Sequence, residues 1–186
     1  GDNVYFRVHK SPKYGILSNQ QLDSLEAGSR IDVETDKEDP RDFVLWKLTS
    51  DDGKKWDSPF GKGRPGWHTE CCVMINDIFK GQIDIHGGGN DLKFPHHENE
   101  IAQCSALYHH HLAKYWLHVG RLDLNGIKMS KSLGNCLYVK DLNSTKEGMI
   151  LRSIILFSPY RSIISFTEEL KAQYEELEAK FNALET

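Results

Sequence analysis

This sequence has few cysteines, no long apolar run and no surplus of positive charge, and each shortage removes a class of protein. Its four cysteines, Cys71, Cys72, Cys104 and Cys136, show no framework-like spacing. That excludes a disulfide-stapled scaffold and fits a reducing compartment, where cysteine serves as core residue or metal ligand. The longest apolar stretches, such as Ile154-Ile155-Leu156-Phe157, fall far short of the ~20 residues that span a bilayer, and no charged-then-apolar leader opens the chain. Lys and Arg number 23 against 27 Asp and Glu, a net charge of -4, so no global basic field draws in nucleic acid and any RNA contact must be local. A cytoplasmic protein is expected. The 186 residues, 39% of them hydrophobic, suffice for one large domain or two small ones.

Residues 4–8 read as a strand, Ser18 caps a short helix through Ala27 that Gly28 ends, and 30–34 alternate as a second strand. A charged loop with Pro40 follows, and Phe43 to Leu48 returns to apolar character. Together these predict a small α+β module over 1–65. The stretch 51–66 is rich in Gly, Pro and charge and marks a boundary. Helical spacing then runs from Trp67 to Phe79 with Gly81 as its C-cap, and 82–86 form a strand that breaks into Gly87-Gly88-Gly89. Pro95 stands at the first position of a helix of roughly four turns towards His110. Helix, strand, glycine turn, helix over 66–120 is the rhythm of a parallel α/β sheet. Residues 116–120 read as another strand, and in 121–145 a tight turn at Asn125-Gly126 precedes the polar loop 128–132. Beyond Asp141 the pattern is helical, with an apolar face stopped at Pro159 and a charged amphipathic helix from Thr167 through Leu184.

His96 and Glu100 are four apart, so both project from one helix face, a spacing that suits two ligands of one metal ion; a solvated first turn with favourable acids is the other reading. Cys71 adds a soft thiolate, giving a borderline zinc site one ligand short of tetrahedral. Cys72 is read as core, and His97 and Glu98 project elsewhere. The run Gly87-Gly88-Gly89-Asn90-Asp91 lies at the end of a predicted strand. There bare backbone can lie against a base or ribose, and Asp91 can accept from a hydroxyl or ammonium, or the run is simply a turn. Lys128-Met129-Ser130-Lys131-Ser132 places two cations and two hydroxyls on one loop. It is either an ordinary polar loop or a mobile clamp for polyphosphate charge. The tract His109-His110-His111 reads as a polar helix C-terminus.

Taken in order, Gly66-Trp67-His68-Thr69-Glu70-Cys71, His86-Gly87-Gly88-Gly89-Asn90-Asp91, Phe94-Pro95-His96-His97-Glu98-Asn99-Glu100 and Lys128 to Ser132 with Leu133-Gly134-Asn135 strongly resemble class I cysteinyl-tRNA synthetase. Asp42 to Lys47 and Gly63-Arg64-Pro65-Gly66 extend the resemblance over most of the chain. It implies the second half of a Rossmann-type parallel sheet, a preceding insertion module and the start of a helical bundle. It further implies that Cys71, His96 and Glu100 match three of four zinc ligands, that Trp67 and Asp91 contact the amino acid, and that Gly88, Gly89 and Asp91 contact ATP. Lys128, Ser130, Lys131 and Ser132 match the mobile ATP loop, with Lys131 on the phosphates. ATP with Mg2+, L-cysteine and tRNA(Cys) are the implied substrates and partners. The family's fourth ligand, a cysteine on an earlier strand, and its HIGH tetrapeptide are absent from this sequence. A fragment, inactive alone and lacking the N-terminal half of the catalytic domain, is therefore expected. A related ligase that joins cysteine to an amino-sugar inositol in mycothiol synthesis shares the glycine run and lysine loop, although Glu100 following Asn99 favours the tRNA enzyme. A non-catalytic zinc- or partner-binding module is the remaining alternative.

Overall fold

The computed structural model describes residues 3–20, 37–50, 52–142 and 144–184. They gather into two compact units, Gly1–Leu117 and His118–Thr186. The helix expected through Ala27 and the strand expected over 30–34 fall on residues outside the described ones.

In the first unit, β1 (Val4–Phe6), β2 (Phe43–Leu48) and β3 (Gly63–Pro65) form an antiparallel sheet in that order. The aromatic and branched residues of β2 suit a pleated surface, and its bounds match the sequence reading. β3 does not: it lies inside the stretch read as a linker. Trp56 and Gly63 exchange backbone hydrogen bonds of 2.8 and 3.0 Å, which fold that stretch back onto β2, and the compact units divide only after Leu117. β1 stops at Phe6 and not at Val8, because the Val8 N–H donates to the Asp42 carboxylate at 2.9 Å and residues 8–10 tighten into a 3-10 turn. Val8, Tyr14, Phe43 and Ala102 form the adjoining core.

Helix α1 (Trp67–Phe79) begins at Gly66, whose N–H donates to the Leu45 carbonyl at 2.8 Å. A Cβ at Gly66 would fall on the Val44 carbonyl, so only glycine lets the helix start this close to β2. Its end is capped by Lys80 in the left-handed region, φ 57, one residue before the glycine expected there. Strand β4 (Ile83–Gly89) runs straight through the glycines that were expected to break it, and pairs with β5 (Ala113–Val119). Next come a 3-10 turn at Asn90–Leu92 and a wide, π-type turn at Lys93–His97, in which Phe94 is extended (φ -138, ψ 134). Helix α2 proper is Glu98–Tyr108. Phe94, extended ahead of Pro95, takes the conformation of an N-cap residue, and Pro95 opens the first, wide turn that leads into α2, as its place in the sequence predicts. Cys72, Cys104 and Leu112 make a second core cluster, as expected for Cys72.

The second unit pairs β6 (Leu122–Leu124) with β7 (Ile127–Lys128) through Asn125 and Gly126, both at positive φ (50 and 75), the primed turn that right-twisted strands favour. A third strand, β8 (Ile164–Phe166), lies parallel to β6, where the sequence reading had only helix. Helices α3 (Thr145–Phe157) and α4 (Glu168–Asn182) are capped by Ser144 and Thr167, whose hydroxyls accept from the Glu147 and Leu170 N–H groups. Ile150, Leu151, Ile154 and Phe166 are the core, and Ser153 donates to Glu178 across the helix pair at 2.6 Å. Among the described residues no helix is long and apolar enough to cross a membrane. The class is α/β.

Candidate metal and substrate site

Three elements of the first unit aim side chains at one point. The first turns of α1 supply Trp67, His68 and Cys71, the wide turn supplies His96 and His97, and α2 supplies Glu100. Cys71 Sγ lies 3.7 Å from His96 Nε2, and that nitrogen lies 2.9 Å from Glu100 Oε1. Ligand atoms of Cys71, His96 and Glu100 all fall within 4.8 Å of one another. The i,i+4 spacing places His96 and Glu100 together although His96 sits in the turn before the helix proper.

The structure adds a second set that the sequence reading did not assign: His86, His97 and Glu100 also lie within 4.8 Å of one another. His86, on β4, brings Nε2 to 2.9 Å from Glu100 Oε2. His97 and Glu98 are also buried, so neither projects into solvent. His97 packs on Trp116 at 5.0 Å between ring centroids, and Glu98 accepts from the backbone N–H groups of Leu17 and Ser18 and from the Ser18 hydroxyl. His97 lies three residues before Glu100, so the two share a helix face, and β4 closes over them with His86. The one signal available for His86 was its place at the end of a strand, against the glycine run.

Glu100 is fully buried, yet neither of its oxygens, nor His86 Nε2, makes a hydrogen bond of good geometry. The donors approach closely without alignment, which suits ligands of a common cation better than a hydrogen-bonded network. Burial works to raise the Glu100 pKa, but the imidazoles of His86 and His96 outweigh it and hold the carboxyl at about 2. Cys71 is pushed up to about 11, by burial first and by the Glu100 charge second. His68 shares a 2.7 Å Nδ1–Nδ1 contact with His96, one ring donating and the other accepting; burial, then the His96 charge, lowers its pKa to about 4.

Beside these residues opens a cavity of about 580 Å3, lined by Tyr14, Phe43, Trp67, Asp91, His96 and Asn99 among others. Trp67 stacks on the His96 ring at 4.1 Å. Asn99 is fixed by the Tyr14 hydroxyl, which donates to its side-chain oxygen at 2.5 Å. Gly88 is needed here for an internal reason: a Cβ would come within 2.9 Å of the His97 ring and 3.0 Å of Leu92. A Cβ on Gly89 would crowd the Asp91 carboxylate at 2.5 Å. The glycines therefore let the wide turn lie against β4.

In the second unit the loop 128–132 is braced by Asn135, a residue to which the sequence reading gave no role. Asn135 accepts from the Ser130 N–H at 2.9 Å and donates to the Lys128 carbonyl at 3.1 Å. Ser130 and Ser132 hydroxyls lie 3.2 Å apart, and Lys128 and Lys131 are exposed.

Comparison with known structures gives the fold. The chain is similar to a LeuRS from Agrobacterium radiobacter, solved as a ternary complex with tRNA and LeuAMS. The TM-score is 0.50 at 15% identity, over 66% of this chain and 20% of that one. Residues 1–176 match the family model described as tRNA synthetases class I (C) catalytic domain, and the chain belongs to that family. Relatives named cysteine–tRNA ligase include those of Acholeplasma laidlawii (60% identical, 92% of this chain and 39% of the relative), a Sulfurihydrogenibium strain (51%, 98% and 38%) and Pyrococcus furiosus (49%, 90% and 35%). The chain thus spans less than two fifths of the length of the curated relatives it matches.

Proposed function

We propose that the protein containing this chain activates L-cysteine with ATP and transfers it to tRNA(Cys) in the cytoplasm. One observation carries the reading: a thiol, an imidazole and a buried carboxylate converge beside a Trp67-walled cavity, in a chain whose relatives are named cysteine–tRNA ligase. Cys71, His96 and Glu100 would hold zinc, and their mixed soft and borderline donors, with carboxylate oxygens lacking aligned hydrogen bonds, fit it. When bound, zinc supplies a soft Lewis-acid centre that favours a thiolate over the hydroxyl of serine.

The chain's own residues do the rest. Trp67 walls the amino-acid pocket and keeps His96 oriented by stacking. Asp91 accepts a hydrogen bond from the substrate ammonium or the ribose, with the backbone of Gly88 and Gly89 beside the adenosine. The cysteine carboxylate attacks the α-phosphorus of Mg2+-bound ATP, the bond to the β-phosphate breaks and pyrophosphate leaves; the terminal ribose hydroxyl of tRNA then attacks the carbonyl and AMP departs. Lys128 and Lys131, with the Ser130 and Ser132 hydroxyls, hold the phosphates, and the Lys131 ammonium opposes the charge that grows on the leaving pyrophosphate. We assign 1–65 to the insertion module, 66–120 to the second half of a Rossmann-type parallel sheet, 121–145 to the lysine-loop region and 146–186 to the start of the helical bundle. An upstream half carrying the fourth ligand and the HIGH motif completes the catalytic domain.

Cysteine-dependent ATP–pyrophosphate exchange tests the reading. The chain alone is expected to be inactive, and co-expression with an upstream half from a relative to restore exchange with cysteine and not with serine. Equal exchange with both amino acids, or none after co-purification of a folded complex, would refute it.

A further inference from the structure

The first unit has another cavity, of about 590 Å3, that shares only Tyr14 with the lining of the Trp67 cavity. One wall is the segment from Tyr5 to Tyr14, with Arg7, Lys10 and Lys13; the facing wall is the end of α2, from Ser105 to His111. Its chemistry is unlike the rest of a chain of net charge -4. Three permanent cations line it against a single carboxylate, Glu98, and that carboxylate is fully buried and already accepts from Leu17 and Ser18. Lys10 and Lys13 are exposed and form no ion pair among the described residues. Arg7 pairs with Glu38 at 2.5 Å, but both side chains are more than half exposed, and such a pair exchanges readily for a stronger anion.

We propose that this cavity binds a nucleoside phosphate, free or as one link of single-stranded RNA, with Lys10, Lys13 and Arg7 on the phosphate and Phe6, Leu45 and Ala106 against the base. Three cations facing one recess, two of them without an ion pair among the described residues, suit a phosphate, and imidazoles and a hydroxyl also line it and add donors. Aromatic and aliphatic lining gives a base something to stack on, which a site for a bare anion does not need. A cavity of this volume lies in the range of small-molecule sites. The inference needs neither the metal-ligand set nor the lysine loop, so it stands or falls separately from the ligase reading.

The test is a titration of the 15N-labelled chain with AMP, a short oligoadenylate and inorganic phosphate, following backbone amides. AMP should shift the amides of Lys10, Lys13, Ser105 and His111, and Lys10→Glu with Lys13→Glu should weaken that response by roughly tenfold or more. Shifts at Asp91 and Leu92, which line the other cavity, should survive the double substitution. Ala106→Trp leaves every cation in place and fills the apolar side; it should abolish AMP binding here while phosphate still binds weakly, which covers the case of a charge-reversal variant that fails to fold. Oligoadenylate that binds far tighter than AMP, with a steep salt dependence, identifies RNA; equal affinity identifies a free nucleotide. Amide shifts confined to Asp91 and Leu92, affinity unchanged by the double substitution, or phosphate binding as tightly as AMP would each overturn the proposal.

Discussion

Glu100→Gln separates charge from shape at the buried centre. The carboxyl is fully buried and has an imidazole nitrogen 2.9 Å from each oxygen. Burial alone would raise its pKa, and His86 and His96 together hold it at about 2, well below the ordinary glutamate value of 4.5. A difference of that size favours the charged, folded form by about 3 kcal/mol. Because the folded value is the lower one, the stabilisation is complete above about pH 4.5 and is lost as pH falls through about 2. Glutamine keeps the volume, and its amide can still meet the facing imidazole nitrogens, so the net loss is smaller than the full electrostatic figure. In the metal-free protein at pH 7 the variant should lose about 1–3 kcal/mol from the transition of the first unit. Its stability should also change less than the wild type's between pH 4.5 and 2. Urea unfolding in excess chelator measures both, with tryptophan fluorescence as the probe, since Trp67 stacks on His96 and Trp116 packs against His97. A variant equal to or more stable than wild type in chelator at pH 7 would refute the argument. The carboxylate would then be a desolvated ligand stabilised by a cation alone. Adding zinc supplies the complementary half: at a hundredfold excess over its dissociation constant it should add about 2.7 kcal/mol to the wild type and far less to the variant.

Three further outcomes follow from the same geometry. Cys71→Ser removes the soft ligand 3.7 Å from His96 Nε2 and should weaken zinc binding by roughly a hundredfold or more in chelator competition, with little change in metal-free stability. Gly66→Ala would press a Cβ onto the Val44 carbonyl where α1 leaves β3, and should destabilise the first unit by about 2–4 kcal/mol in denaturant unfolding, disturbing Trp67 and Cys71 together. In the reconstituted enzyme Lys131→Ala should lower the rate of adenylate formation by roughly a hundredfold or more while the KM for cysteine stays nearly constant, a split read by pyrophosphate exchange; a raised KM at unchanged rate would remove the loop from the phosphates.

What was legible in the sequence is what local chemistry decides. The bounds of α1 follow from its apolar period, β2 from its run of aromatic and branched residues, and the start of α4 from Thr167. β3 and β8 were not legible, for a shared reason. Each is three residues long and exists because another strand lies beside it: Arg64 opposite Lys47 in one case, Ser165 opposite Asp123 in the other. No window of the local sequence contains that partner. The same limit explains Lys80, whose left-handed conformation places the helix end one residue ahead of the glycine that composition favours.

The candidate site divides along the same line. His96 and Glu100 come together through a fixed interval along one element, and Cys71 through the first turns of another, so residue type and spacing were enough to single them out. His97 stands three residues before Glu100 and His96 four, so both imidazoles reach one carboxylate from the same helix face, and the interval to His97 was as legible as that to His96. His68 and His86 depend instead on where separate elements meet, His86 arriving on β4. Gly88 permits β4 to come this close, since the space its side chain would take is filled by the His97 ring and Leu92. The glycine run thus acts on the site in two ways: as bare backbone beside the proposed adenosine position, and as the clearance that lets His97 lie against β4. Only the first can be inferred without the fold. Gly88→Ala should therefore perturb the His86, His97 and Glu100 set before any nucleotide is added, visible as shifted imidazole resonances in the free chain.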